Sequence, residues 1–242
     1  MKYKWLTETA FCHRGLHDPD QGLVENSLSA FHAANNRGHG FELDVLLSKD
    51  GRAMAFHDVS LKRLTGRPGN IQDFTAAQLG QFNLIASSDH IPSLADVLSA
   101  INQSYPVLIE IKGDQNLPNQ IAQAVYQDIE HYPGPVAIMS FYPGIISWFK
   151  KNAPQITRGL VATSINDGEM PEVFFAVPAQ KKLANELAVD FIAYDIKALP
   201  NALTEYCRAK KTPVLTWTVR TEALKQKADQ YTDNIIYENL EW

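Results

Sequence analysis

Apolar positions along the chain fall into two alternating patterns. Short apolar runs of strand character recur at Thr9–His13, Phe41–Leu47, Ala53–His57, Val107–Lys112, Val136–Phe141, Arg158–Ala162, Phe191–Asp195, Val214–Val219 and Ile235–Tyr237. Between most of them, apolar residues return every three or four positions. That spacing predicts helices over Ser27–Arg37, Ser93–Gln103, Asn119–His131, Gly144–Asn152, Pro171–Leu187, Ala202–Lys210 and Glu222–Tyr231. In the second of these, Pro92 precedes the first turn and Leu94, Val97, Leu98 and Ile101 share one face. Strand–helix repeats of this kind imply a buried parallel sheet, as an open doubly wound sheet or a closed (β/α)8 barrel.

One junction sets the count. Between Asp44 and His57 no helix fits, and Ser48-Lys49-Asp50-Gly51-Arg52 carries an Asp-Gly pair between two strand runs. That is a hairpin signal. A two-residue Asp50-Gly51 loop pairs Lys49 with Arg52 and sets Asp44 opposite His57, so that His57, Asp44 and Glu42 share one surface. With 53–57 as the returning arm of this hairpin, eight of the nine strands are separated by helices, the number of a barrel. The alternative makes 53–57 a barrel strand itself. A single domain over residues 1–242 is expected, with 58–92 as a short inserted cap of irregular structure.

Bulk properties narrow the function. At 242 residues, 45% hydrophobic and 20% charged, the chain has the makings of an ordinary globular core. A net charge of −5 leaves no basic stripe for nucleic acid, while allowing a local cationic pocket. No stretch approaches the roughly 20 apolar residues that span a bilayer, so no membrane insertion is expected. Met1-Lys2-Tyr3-Lys4-Trp5, followed by Thr7 and Glu8, does not resemble a signal peptide. Cys12 and Cys207 make no disulfide framework. A cytoplasmic protein is expected; the oligomeric state is not legible.

The polar residues at strand ends carry the chemistry. His13-Arg14-Gly15 closes the first strand, and Phe56-His57-Asp58 the third; histidine transfers protons near neutral pH. Glu42 and Asp44 project from one face of their strand, and Glu110 ends a later one. Buried carboxylates need a cation or partners, and three without a nearby cysteine suit Mg²⁺ or Ca²⁺. The competing account pairs them with Arg14 and Lys112, which are equally placed to hold a phosphate. Glu25-Asn26-Ser27 opens the first helix as a cap, or Glu25 reaches a metal. Asp58 orients His57 or caps a turn. Trp217 and Phe141 wall a pocket or pack the core. Cys12 faces away from His13 and packs. His17, His32, His39, His90 and His131 have no comparable company.

These segments resemble the glycerophosphodiester phosphodiesterase family. The resemblance rests on His13-Arg14-Gly15, Glu25-Asn26-Ser27 with Ala30-Phe31, Glu42-Leu43-Asp44-Val45, Lys49-Asp50-Gly51 and Phe56-His57-Asp58 with Leu61, Arg63 and Thr65-Gly66. It continues through Ile91-Pro92-Ser93-Leu94, Glu110-Ile111-Lys112, Ser140-Phe141 and Trp217-Thr218-Val219. It implies a TIM (β/α)8 barrel of the phospholipase-C-like phosphodiesterase type, with a divalent cation on Glu42, Asp44 and Glu110. His13 and His57 would be the acid–base pair, and Arg14, Lys112, Trp217 and Phe141 would contact the substrate. Glu25, Asn26 and Asp58 would support these from behind. The chain departs from the family at its last strand, where Ile236-Tyr237-Glu238-Asn239 replaces a Thr-Asp pair followed by proline.

The expected activity is hydrolysis of a small glycerophosphodiester to glycerol 3-phosphate and an alcohol. One alternative keeps the machinery and takes lysophospholipids through an apolar entrance built from Phe74, Leu79, Phe82, Leu84 and Ile85. Another is a catalytically idle phosphodiester-binding barrel.

Overall fold

The computed structural model describes residues 3–113, 118–166 and 172–240. The strands are β1 (Phe11–Cys12), β2 (Gly40–Leu47), β3 (Ala53–Ala55), β4 (Val107–Ile111), β5 (Val136–Ser140), β6 (Thr157–Ala162), β7 (Phe191–Asp195), β8 (Val214–Val219) and β9 (Asn234–Tyr237). Hydrogen bonding runs in the order β1-β9-β8-β7-β6-β5-β4-β2, and β1 pairs back onto β2. This closes a ring of eight parallel strands. β3 is antiparallel and hangs on β2 alone, so the hairpin account of 53–57 holds.

Side-chain alternation sorts the strands into an inside and an outside. Phe11, Leu108, Ala137, Met139, Val161, Phe191, Ala193, Leu215 and Ile236 fill the interior, together with Leu6 and with Tyr3 and Trp5 packed against them. The residues between them, such as Cys12, Phe41, Leu43, Val45, Ile109 and Ile138, meet the surrounding helices. Phe31 of the first helix stacks on Phe41 with ring centroids 4.4 Å apart.

Helices follow the predicted order, with most ends shifted by a few residues. Ser27 and Ser93 are N-caps, their hydroxyls accepting from the Ala30 and Asp96 amides. The helix predicted to reach Gln103 ends at Ala100. The Asn35 side chain takes the Asn102 amide, and the Asn102 side chain turns the chain at Ser104, local bonds that outcompete a further helical turn. The segment predicted from Pro171, a residue outside those described, is a 3-10 turn at Glu172–Phe175 and then a helix over Val177–Leu187. Pro178 lies in the first turn of that helix, where its missing amide is tolerated.

The hairpin register differs from the prediction. Val45 pairs with Ala55 and Leu47 with Ala53, while the Ser48 amide bonds the Arg52 carbonyl. The loop is therefore Lys49-Asp50-Gly51, three residues, with Gly51 at φ +75. Gly51 adopts the left-handed conformation a three-residue loop requires, and the extra residue slides the pairing by one. Phe56, not His57, bonds Asp44. His57 lies past the end of β3, at a bend in the chain, and lines the cavity.

The cap over 58–92 is more ordered than expected. It carries single-turn helices at Lys62–Thr65 and Ala76–Leu79 and its own apolar cluster of Leu61, Leu64, Ile71, Leu79, Leu84 and Ile91, shared with Met54 and Phe56 of the hairpin. Phe74 and Phe82 pack against that cluster with rings 5.1 Å apart. The tip of the hairpin holds the cap by backbone, through the Lys49 amide to the Phe74 carbonyl and the Ala76 amide to Asp50 Oδ1, each 2.8 Å.

Gly15 shows why the first motif needs a glycine. It sits at φ +81, and a Cβ there would lie 2.9 Å from both the Cβ and the carbonyl carbon of Ala30. Gly15→Ala should destabilise the fold by at least about 1 kcal/mol, since alanine is disfavoured at positive φ and the space is filled. Each kcal/mol lowers the melting temperature by about 2–4 °C in a domain of this size, readable by calorimetry. Turnover should fall as well, because the same turn aims His13 and Arg14.

Candidate active site

The polar residues gather at the ends of the strands that open onto one cavity of about 1120 Å³. Strand register explains how. Asp44 and Glu110 are partners across β2 and β4, so their inward side chains stand side by side, and Glu42 is two residues back on the same face. The oxygens of Glu42, Asp44 and Glu110 lie within 4.8 Å of one another. Glu42 and Asp44 are fully buried. His13, Arg14, Glu42, His57, Asp58, Glu110, Lys112, Phe141 and Trp217 all line the cavity.

The basic residues are where the carboxylates can meet them. Lys112 Nζ is 2.9 Å from Glu110 Oε1 and 3.2 Å from Asp44 Oδ1. Arg14 is held in the left-handed region at φ +54, an uncommon conformation outside glycine. Its amide donates to Glu42 Oε2 at 3.0 Å and its guanidinium to Glu25 Oε1 at 2.7 Å. Nε lies 3.0 Å from Asp44 Oδ2, outside hydrogen-bonding alignment. Asn26, also left-handed at φ +56, clasps Asp44 from both sides. Its side-chain amide donates to Oδ2 and its carbonyl oxygen accepts from the Asp44 amide.

Electrostatics separates the two buried carboxylates. Burial, and then the like charges of Asp44 and Glu110, push the Glu42 carboxyl well above the usual range. Burial also opposes ionisation of Asp44, but Lys112 and Arg14 override it and hold that carboxyl below its usual range. Lys112 is desolvated too, yet Asp44 and Glu110 raise its pKa. Glu42 Oε1 is buried without a hydrogen-bond donor among the described residues. An unsatisfied buried carboxylate oxygen facing two more carboxylates fits a hard divalent cation. An ion-pair network alone would satisfy Asp44 and Glu110 and leave Glu42 Oε1 orphaned.

Each histidine is backed by a carboxylate. His57 Nδ1 is 2.7 Å from Asp58 Oδ1. Asp58 is in turn held by Arg63 through Nε at 2.6 Å and a terminal nitrogen at 2.9 Å. Although burial opposes it, Arg63 and His57 bring the Asp58 carboxyl down to about 2. The same guanidinium donates twice to Glu25, which also accepts from Arg14. Glu25 is therefore a bridge between two arginines rather than a member of the carboxylate cluster. Burial raises its pKa less than the arginines lower it.

His13 Nδ1 contacts Glu238 Oε1, and its Nε2 faces Glu42 Oε2 at 3.9 Å. Burial, above all, pushes this imidazole below the usual histidine range, against the pull of Glu238. Arg220 holds Glu238 through Nε at 2.6 Å, and His17 Nε2 lies 3.7 Å from it. Glu238 stays well below the usual carboxylate range, as these donors outweigh its burial.

Trp217 and Phe141 meet edge to face at 5.6 Å, and Trp217 Nε1 donates to the Ala193 carbonyl. They form one wall of the cavity while resting on the interior layer. Cys12 points outward as expected; its Sγ donates to the Tyr237 hydroxyl, and burial pushes the thiol up to about 11. The apolar entrance expected from the cap is not built as described. Phe74, Leu79, Phe82 and Leu84 pack within the cap, and none of them nor Ile85 borders the cavity. The exposed apolar side chains at its border are Val59 and Ile165.

Sequence reasoning missed Arg63, Arg220 and the company of His17. Arg63 stands among the residues of the family resemblance, but its four bonds depend on how the cap folds back. Arg220 and Glu238 meet because β8 and β9 are neighbours, with Val219 paired to Tyr237, which no spacing along the chain reveals.

The chain is 28% identical over 240 residues to the glycerophosphodiester phosphodiesterase of Caldanaerobacter subterraneus subsp. tengcongensis, covering 95% of this chain and 93% of the relative. It is 32% identical over 166 residues to that of Bacillus altitudinis, covering 64% and 66%. A phosphodiesterase of Oleispira antarctica, solved in complex with the product sn-glycerol-3-phosphate, superposes with a TM-score of 0.80 at 23% identity over 96% of this chain and 93% of that one. The glycerophosphodiester phosphodiesterase of Thermotoga maritima gives 0.76 at 24% identity, covering 94% and 92%. Both share the barrel. The sequence profile of the glycerophosphoryl diester phosphodiesterase family matches residues 13–241, nearly the whole chain, and the protein belongs to that family.

Proposed function

We propose that the protein hydrolyses glycerophosphodiesters to glycerol 3-phosphate and an alcohol, with a divalent cation, Mg²⁺ or Ca²⁺, held by Glu42, Asp44 and Glu110. The observation that carries this reading is the joint placement of two carboxylate-backed histidines and a three-carboxylate cluster around one cavity. The cation, when bound, neutralises charge on the phosphoryl oxygens. Arg14 and Lys112 sit beside the same carboxylates, so a phosphate drawn to the cluster meets both cations. One histidine takes the proton of the attacking oxygen as its bond to phosphorus forms. The other gives a proton to the departing alkoxide as the phosphorus–oxygen bond breaks. Asp58 and Glu238 hold the two rings, and the Phe141–Trp217 wall flanks the reacting diester.

No described helix is long and apolar enough to cross a membrane, and both cysteines are buried and unpaired. We further propose a cytoplasmic protein of one barrel domain acting on a small-molecule substrate. Purified protein with glycerophosphocholine and excess Mg²⁺ or Ca²⁺ should release choline, and chelation should abolish the release. Tight diester binding without turnover under any divalent ion would leave a binding barrel instead. The exposed Val59 and Ile165 favour a second substrate class, lysophospholipids, whose acyl chain would lie over the rim. Comparing kcat/KM for lysophosphatidylcholine and glycerophosphocholine separates the two; a ratio that falls in Val59→Ser with Ile165→Ser supports the acyl-chain reading.

A further inference from the structure

Both histidines at the cavity share one arrangement: Nδ1 faces a carboxylate whose other side is gripped by an arginine. For His57 these are Asp58 and Arg63. For His13 they are Glu238 and Arg220. Barrel closure builds the second set. Cys12 pairs with Tyr237, and Tyr237 with Val219, so the next residues on β1, β9 and β8 are His13, Glu238 and Arg220, side by side. Backbone bonds continue the register past the strand ends: the His13 amide donates to the Tyr237 carbonyl at 2.9 Å and the Glu238 amide to the Val219 carbonyl at 3.1 Å.

We propose that Glu238, clamped by Arg220, is the positioning residue of His13, an inference that rests on reading His13 as a proton-transfer group. The acceptor at Nδ1 holds the ring proton there, leaving Nε2 free on the side of Glu42 and the cavity. Arg220 occupies both Glu238 oxygens, at 2.6 and 3.2 Å, which stops the carboxylate from swinging into the carboxylate cluster. His17 Nε2 approaches the same oxygen, Glu238 Oε1, at 3.7 Å. A surface ion pair would give Arg220 a partner without any consequence for His13. A positioning pair makes the tautomer of a buried ring depend on an exposed arginine.

The test compares Glu238→Ala, Glu238→Gln and Arg220→Gln with wild type and His13→Ala. It uses steady-state kinetics on glycerophosphocholine and imidazole ¹⁵N chemical shifts of His13. Wild-type His13 should show one tautomer, protonated at Nδ1. Glu238→Ala should mix the tautomers and lower kcat about 100-fold with KM within threefold of wild type. Glu238→Gln, which keeps an acceptor oxygen, should fall between, and Arg220→Gln should lower kcat about tenfold. Should Glu238→Ala fail to fold, Arg220→Gln, a change at an exposed side chain, carries the same two readouts. An impaired His13→Ala beside a Glu238→Ala with near-normal kcat and an unchanged His13 tautomer overturns the positioning role alone. A wild-type rate in His13→Ala overturns the proton-transfer reading, and this proposal with it.

Discussion

His13→Ala and His57→Ala should each lower kcat for glycerophosphocholine by about 100- to 10,000-fold, the range that positioned acid–base groups contribute. KM should change little, because in the proposed mechanism Arg14, Lys112 and the cation, rather than either ring, would meet the substrate's charge. The double variant should fall well short of the product of the two single losses, since the histidines serve one transition state. Stability separates the two singles. His13 is buried among charged partners, so its loss leaves Glu238 facing a void and should depress the melting temperature. The His57 side chain is 30% exposed, and its alanine variant should melt close to wild type. Steady-state kinetics beside calorimetry therefore distinguishes a chemical loss from a folding loss.

Glu42→Gln should uncouple activity from stability. Turnover should be lost along with the cation, because Glu42 supplies the unsatisfied oxygen of the cluster. The chelated variant should nonetheless melt higher than chelated wild type, since a neutral amide replaces a carboxylate that burial and two like charges disfavour. The sign with pH follows by linkage. The Glu42 pKa is raised in the folded chain, so above the ordinary glutamate value the native state binds more protons than the unfolded one. Its contribution to chelated-protein stability then falls as pH rises through the folded pKa. The wild-type minus Glu42→Gln difference in unfolding free energy, measured in denaturant, should drop with pH in chelator. With the divalent ion present that drop should vanish or reverse, because binding releases the same proton. A chelated variant less stable than wild type at neutral pH would contradict the reading of this cluster.

Most of the barrel was legible because its strands are separated by helices of clear period, and the one exception announced itself through Lys49-Asp50-Gly51. The count of eight survived an error in register. Placing Asp50-Gly51 as a two-residue loop set Asp44 against His57, whereas Gly51 in the left-handed conformation closes a three-residue loop and sets Phe56 there. His57 lies past the end of β3, at a bend with no signature in alternation. Glu42 and Asp44 were readable as one inward face from strand periodicity, while Glu110 joins them through the pairing of β2 with β4, which periodicity does not give. Asp58 was readable as the neighbour of His57, but the longer-range partners were not. Arg63 bridges Glu25 and Asp58 across 38 and 5 positions of sequence, and Glu238 meets His13 across 225, through barrel closure and a folded-back cap. Such contacts are set by which strands neighbour each other, not by local spacing. The cap's aromatic residues misled for a related reason: Phe74 and Phe82 have the composition of an entrance and the packing of a core.

In the proposed mechanism one histidine removes the nucleophile's proton and the other protonates the leaving group. Comparing His13→Ala and His57→Ala on glycerophosphocholine and on a glycerol phosphodiester of p-nitrophenol, whose leaving group needs no protonation, tells these roles apart. One variant should recover most of the wild-type rate on the p-nitrophenyl ester, which identifies its histidine as the acid, while the other stays impaired on both substrates. Equal impairment of both variants on both substrates, or full activity of either on glycerophosphocholine, would contradict the account.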